Sequence, residues 1–279
     1  MIPPGLDRRT TPFSGRMALP ILRGTVETTF TDGESASVHL PVADLLARPD
    51  GPRDRQVLLG EALTVIDRHH GHAFVQAAKD GYCGWLSSAA LGPALAPTHW
   101  VAARSSHLYS GPKVQAPETA ALPHGAVLRV TAVQGSFAET PHGFVPLAHL
   151  RRLEDRPGDP VAVAEQFLGA PYLWGGNTAA GIDCSGLVQA SLLACGLPCP
   201  GDSDQQQTLG DPLPDGATLR RGDLLFWKGH VAWVAAPDCI LHANGHSMTV
   251  ALEPLTSAIE RIAAQDGGPV TARRRVIPS

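Results

Sequence analysis

GIDCSGLVQASLLACG, residues 181–196, decides how the C-terminal part of the chain is read. After Gly181-Ile182-Asp183 the apolar period switches to Leu187, Val188, Ser191, Leu192 and Cys195, the spacing of one helix face. Cys184 therefore opens a helix. Orphan backbone donors and the positive end of the helix dipole favour thiolate over thiol there, so a lowered cysteine pKa is expected. The charge of Asp183 opposes that effect unless its carboxylate turns away into hydrogen bonds. Ser185 and the helix-start amides are candidate partners for a developing oxyanion.

A thiol nucleophile needs a base, and the text downstream offers one. His230-Val231-Ala232-Trp233-Val234 and Cys239-Ile240-Leu241-His242-Ala243 are β-prone runs separated by a break at Ala236-Pro237-Asp238. An antiparallel hairpin with a three-residue loop at 235–237 sets Val234 opposite Asp238, Ala232 opposite Ile240 and His230 opposite His242. The two histidines then share a face, with Cβ atoms about 5 Å apart. His242 can accept a hydrogen bond from one ring nitrogen of His230 while the other faces Cys184, an orienter for a base for a nucleophile. Two other readings stand beside this one: the histidines as zinc ligands with Cys184 or Asp238, and Cys184 as a buried structural thiol.

Upstream of the helix, VAVAEQFLG (161–169) forms a short amphipathic helix ended by Gly169-Ala170-Pro171, and YLWGGNTAAG is a glycine-rich turn. With DLLFW, HVAWV and CILHANG as strands, one layer of strands against one or two helices gives an α+β domain. RRLEDRPGDP (151–160) is polar and proline-bearing, a linker or domain edge. Before it the grammar is strand and turn. GTVETTF and RQVLLGEALTVIDRHHGHAFVQAAKDGYCGWL read as a small barrel, with VHLPVADLLARP as an interrupting helical insertion or loop. A second copy spans about 98–150, where Gly143-Phe144-Val145 answers Gly84-Trp85-Leu86. Two small all-β domains in tandem follow.

Composition agrees with a globular multidomain chain: 279 residues, 43% hydrophobic and 17% charged. Twenty-two basic against 26 acidic residues give a net charge of -4, which supplies no overall attraction to nucleic acid or an anionic membrane. MIPPGLDRRTTPFSG has no following apolar run, so neither a secretory signal nor integral membrane association is expected, and the cytoplasm is the default location. Five scattered cysteines are an odd number in a chain that needs no staples, so a disulfide framework is not expected.

At these residues the sequence resembles the NlpC-type cell-wall cysteine peptidases. The matching pieces are Tyr172-Leu173-Trp174-Gly175-Gly176, Ile182-Asp183-Cys184-Ser185-Gly186-Leu187-Val188, Asp202-Ser203-Asp204-Gln205-Gln206, Gly222-Asp223-Leu224-Leu225-Phe226-Trp227, His230 to Val234, and Leu241-His242-Ala243. The resemblance covers about 157–270 and implies a papain-like fold with Cys184 as nucleophile, His230 as base and His242 as orienter. The N-terminal modules resemble the bacterial SH3-like domains of a subset of these enzymes. The implied boundaries are an extension at 1–20, SH3-like domains at 21–92 and 98–153, and the peptidase domain at 157–279. That subset cleaves short murein peptides between γ-linked D-glutamate and a diamino acid, meso-diaminopimelate or lysine, and prefers a free N-terminal L-alanine. Asp183 and Ser185 would then lie beside the substrate, Trp174 and Ser203 would wall the cleft, and Glu61 and Tyr82 would come from a capping first SH3-like domain. No cofactor or metal is required. Gly201 stands where family members commonly carry arginine, which leaves one cleft cation missing. A nonhydrolytic wall-peptide binding module, or an amidase or acyltransferase using the same Cys-His chemistry, are the alternative functions.

Other features invite less. His69, His70 and His72 read as a polar turn, Cys195 and Cys199 as inert thiols, and Asp223 as support for a strand entry.

Overall fold

The computed structural model describes residues 2–265 and 267–276. The first residue of the expected extension, and Asp266 and the last three residues of the expected peptidase domain, lie outside them. The chain divides into two compact units, Met1–Asp155 and Arg156–Ser279.

Alternating burial builds the first unit. Seven antiparallel strands lie in the order Arg53–Leu58, Val42–Leu46, Cys83–Ser87, His72–Ala77, Ala62–His69, Glu34–Val38 and Leu91–Pro93. Leu45, Leu63, Val65, Val75 and Leu86 point from them into one core. The expected interruption at VHLPVADLLARP is corrected here: Val38 ends one sheet strand and Val42–Leu46 form the next, turning at His39–Pro41, and Ala43 and Leu45 alternate inward like any strand. Within GTVETTF, Thr29–Phe30 pair in parallel with Met17–Ala18 and Val26 bridges to Arg23, so the segment expected as a strand of the first sheet pairs outside it. The extension docks on the sheet, with the Cys83 amide donating to the Arg9 carbonyl at 2.6 Å and Arg8 forking onto Asp54 at 2.5 and 2.8 Å. His70 (φ 46°) and Gly71 (φ 77°) are the two central residues of the hairpin turn between paired His69 and His72. Two successive positive φ values make the tight turn that suits the strand twist.

Residues 98–152 form a three-stranded sheet, ordered Val127–Leu128, His99–Val101, Leu150–Arg152, and a five-stranded one, ordered Glu118–Pro123, Ser105–Tyr109, Gly143–Pro146, Phe137–Thr140, Ala132–Gln134. Val101, Leu108, Leu122, Leu128 and Val145 close their core. The strand, 3-10 turn and short strand at Cys83–Ser87, Ser88–Ala90 and Leu91–Pro93 recur at Gly143–Pro146, Leu147–His149 and Leu150–Arg152.

The second unit is a six-stranded antiparallel sheet with helices on both faces. Its order is Asp211–Pro212, Ala272–Arg275, Asp223–Trp227, His230–Ala236, Cys239–Asn244, Thr249–Pro254. Helix α1 (Pro160–Glu165) starts with Asp159 accepting from the amides of Val161 and Ala162. With helix α2 (Cys184–Ala194) it covers the face that carries Leu224, Phe226, Val231, Trp233, Leu241 and Ala243. Alternate residues Leu225, Trp227, Ala232, Val234 and Ile240 point the other way, onto Ala258 and Ile262 of helix α4 (Leu255–Ala264). Helix α3 (Ser203–Gln206) is a single turn beside the start of α2. Gly186, in the first turn of α2, sits so close to the glycine loop that an added Cβ would stand 2.6 Å from the Gly176 carbonyl oxygen. Asp223 holds a strand entry, accepting from the Arg220 amide at 2.9 Å and from Arg275 at 2.8 Å.

Candidate active site

Asp183 is the N-cap of α2. Its Oδ1 accepts from the Gly186 amide at 2.7 Å and the Ser185 hydroxyl at 3.1 Å, and its Oδ2 from the Gly175 amide at 2.8 Å. The carboxylate thus ties the glycine loop to the helix that begins with Cys184, and the Ser185 hydroxyl is spent on it. Gln206 of α3 closes the other side. Its amide nitrogen donates to the carbonyls of Ser185 and Pro200, each at 3.0 Å.

Helix α2 lies along the His230–Ala236 strand: the Trp233 indole donates to the Ser191 hydroxyl at 3.1 Å, and Cys184 and Val231 belong to one buried cluster. The thiol is only 6% exposed. Burial and the charge of Asp183 push it up to about 12, against the hydrogen bonds from Val231, Ser185 and its own amide that pull it down. This reverses the lowered value expected from the helix start, because desolvation outweighs the helix-end donors.

The sheet carries the histidines. Trp233 pairs with Leu241 and Val234 with Ile240, and an irregularity follows before Ala236 pairs with Cys239. The expected register is therefore corrected by two residues, since Ala235 bulges and the turn is tighter than three residues. Ala232 comes opposite His242, and His230 stands on the diagonal. A shift of two conserves the face, so the rings still meet, with His230 Nε2 2.9 Å from His242 Nδ1. Burial and the nearby His242 hold His230 well below 6.5, and burial does the same to His242, partly offset by Glu253.

Beyond His242 the chain of contacts continues through residues that the sequence reading did not single out. His242 Nε2 lies 3.0 Å from Glu253 Oε2, and Glu253 is gripped by Arg261 of α4, Nε to Oε1 at 2.9 Å and Nη2 to Oε2 at 2.6 Å. A cavity of about 390 Å³ opens beside them, lined by His230, Asn244, His246, Arg261 and Gln265 among others. Tyr172 was also passed over as a site residue. Its hydroxyl is raised above 10.0 by burial and by the charges that Cys184 and Asp183 bring. The Tyr172-Leu173-Trp174 motif was the available signal.

Trp174 is 69% exposed, and Ser203 is half-buried at the start of α3. Glu61 and Tyr82 lie in the first unit. Lys79 donates to Glu61 Oε1 at 2.6 Å, burial raises the Glu61 carboxyl, and its Oε2 is buried with no hydrogen-bond partner among the described residues. Tyr82 is 2% exposed under the Arg55 guanidinium, 4.9 Å from the ring centre. All five cysteines are free thiols.

A buried thiol at a helix start, with a hydrogen-bonded histidine pair on two neighbouring strands of the sheet that the helix covers, is a set of residue types that nucleophilic acyl chemistry uses. Residues 169–262 match the NlpC/P60 family and residues 45–91 the bacterial dipeptidyl-peptidase SH3 domain, so the chain carries a dipeptidyl-peptidase SH3 domain followed by an NlpC/P60 domain. It is 32% identical over 107 residues to the gamma-D-glutamyl-L-lysine dipeptidyl-peptidase of Bacillus cereus, covering 36% of this chain and 32% of that one, so it spans about a third of that relative's length. It is 26% identical over 248 residues to dipeptidyl-peptidase 6 of Lysinibacillus sphaericus, covering 75% of this chain and 88% of that protein. The crystal structure of an NlpC/P60 family protein from Bacillus cereus superposes with a TM-score of 0.74 at 21% identity, over 88% of this chain and 100% of that one, a likeness of fold.

Proposed function

We propose that this protein is a cysteine peptidase that hydrolyses the γ-D-glutamyl to L-diamino acid bond, with meso-diaminopimelate or lysine as the diamino acid, in short murein peptides with a free N-terminal L-alanine. Cys184 is the nucleophile, His230 the base and His242 its orienter. The observation that carries this reading is the hydrogen bond of His230 Nε2 with His242 Nδ1, 2.9 Å, on strands of the sheet that the Cys184 helix covers. The name of the Bacillus cereus relative supports the bond.

Chemistry follows from the proton inventory. With the thiol raised and the imidazole lowered, both groups rest neutral, so attack and proton transfer are coupled. As sulfur closes on the γ-carbonyl carbon, its proton passes to the ring nitrogen of His230 that His242 leaves open. Helix-start amides receive the negative oxygen. His230 then gives that proton to the diamino-acid nitrogen as the C–N bond breaks, leaving a thioester. Water, deprotonated by neutral His230, releases the γ-glutamyl acid and restores the thiol.

In this reading residues 1–20 are an extension, 21–92 and 98–153 two SH3-like barrels and 157–279 a papain-like domain, working on released peptides in the cytoplasm. Trp174, Asp183, Ser185, Ser203, Glu61 and Tyr82 contact substrate. The unpartnered Glu61 oxygen supports a role for it in meeting a terminal ammonium. Mass spectrometry of products from L-Ala-γ-D-Glu-meso-diaminopimelate tests the whole: free diaminopimelate is expected from the native enzyme and none from Cys184→Ala. Intact tripeptide after incubation with native enzyme rejects the substrate. Equal cleavage of the N-acetylated tripeptide rejects the free-terminus requirement.

A further inference from the structure

We propose that Glu253, clamped by Arg261, is a positioning residue that sets which ring nitrogens of His242 and His230 carry hydrogen, and so leaves the His230 lone pair on Nδ1. The inference deepens the reading of His230 as a base and rests on it for its catalytic consequence, though the proton assignment stands by itself.

Arg261 donates to both oxygens of Glu253, at 2.9 and 2.6 Å, and this contact holds the carboxyl below its ordinary range. An ionised carboxylate only accepts. His242 Nε2, 3.0 Å from Oε2, must therefore be the donor. His242 is fully buried and burial favours its neutral ring, so a hydrogen on Nε2 leaves Nδ1 bare. His230 Nε2, 2.9 Å from that bare nitrogen, must then donate in its turn. With His230 also kept neutral, its lone pair falls on Nδ1. Every step has one polarity because it begins at a group that cannot donate.

The fold places the members by a repeated diagonal. Ile240 pairs with Glu253 and His242 with Ala251, so Glu253 sits two residues along from the partner of His242, on the same sheet face. His230 stands in the same diagonal relation to His242 across the other strand pair. That face packs on α4, which is how Arg261 reaches the carboxylate. The charged and titratable groups acting on the two imidazoles are each other, Glu253 and Arg261.

Nitrogen-15 NMR of histidine-labelled native protein near neutral pH reads the tautomers directly. A pyridine-type Nδ1 and pyrrole-type Nε2 are expected for His230, and the same pattern for His242; the opposite pattern at either ring overturns the proposal. In Glu253→Gln, whose amide can donate, the His230 pattern should become mixed or inverted and kcat should fall at least about tenfold with KM little changed. Glu253→Asp, which remains an obligate acceptor, should restore the native nitrogen pattern and part of kcat. Native spectra and turnover in Glu253→Gln would overturn the proposal. If the native enzyme cleaves no γ-glutamyl peptide, the function above fails while the spectra still decide the proton assignment.

Discussion

The Cys184 sulfur receives hydrogen bonds that favour the anion and sits in a burial that forbids it, and the balance at about 12 goes to burial. A resting thiol has a kinetic signature. Alkylation of Cys184 by iodoacetamide should stay slow through neutral pH and rise only toward the alkaline range, without the acid-side plateau of a preformed thiolate. A fast, flat profile from pH 5 upward would show that the ion pair forms at rest. Cys184→Ala should abolish turnover while leaving the circular dichroism spectrum and Tm close to native, because it removes one sulfur and leaves the Asp183 cap in place. His230 and His242 add an acid limb. Both are neutral when folded, His230 lowered to about 3 and His242 to about 4, against 6.5 in the unfolded chain. Between about 6.5 and those values the unfolded state binds more protons, so stability falls as pH falls. Thermal melts from pH 7 to 4 should show a declining Tm, with a shallower slope in His230→Ala.

At the scale of elements, α2 is held at three points: the Asp183 cap, Gln206 on the Ser185 carbonyl, and Trp233 on Ser191. Asp183→Ala removes an N-cap worth about 1–2 kcal/mol and frees the glycine loop as well. Chemical denaturation should register that loss. Trp233→Phe should cost about 1 kcal/mol for the missing hydrogen bond. Helix α2 was legible because its apolar period is unbroken from Leu187 to Cys195, and the shared face of His230 and His242 was legible because strand alternation survives any even shift. Their register was not, since it depended on a bulge at Ala235 that no residue type announces. Glu253 was beyond reach for a different reason: its meaning comes from a strand pairing and from Arg261 on α4, a helix that the sequence reading did not assign. The Val42–Leu46 strand was hidden by Pro41 and by a length too short for periodicity to speak.

Across the whole molecule, the buried clusters of the two units share no residue. A fragment of residues 156–279 should therefore fold with a cooperative melt of its own and keep Cys184 alkylable. If Glu61 and Tyr82 serve the substrate, that fragment should lose most of its kcat/KM for the free tripeptide; native efficiency in the fragment would remove both from the site. No helix among the described residues is long and apolar enough to cross a membrane.

Gly186 bears on what evolution or engineering can do at the start of α2. Its missing side chain leaves the first turn of α2 resting directly on the main chain at Gly176, with the Asn177 side-chain oxygen 3.0 Å from where a methyl would stand. Even alanine would wedge the two apart, so a single hydrogen atom serves as the spacer between helix and loop.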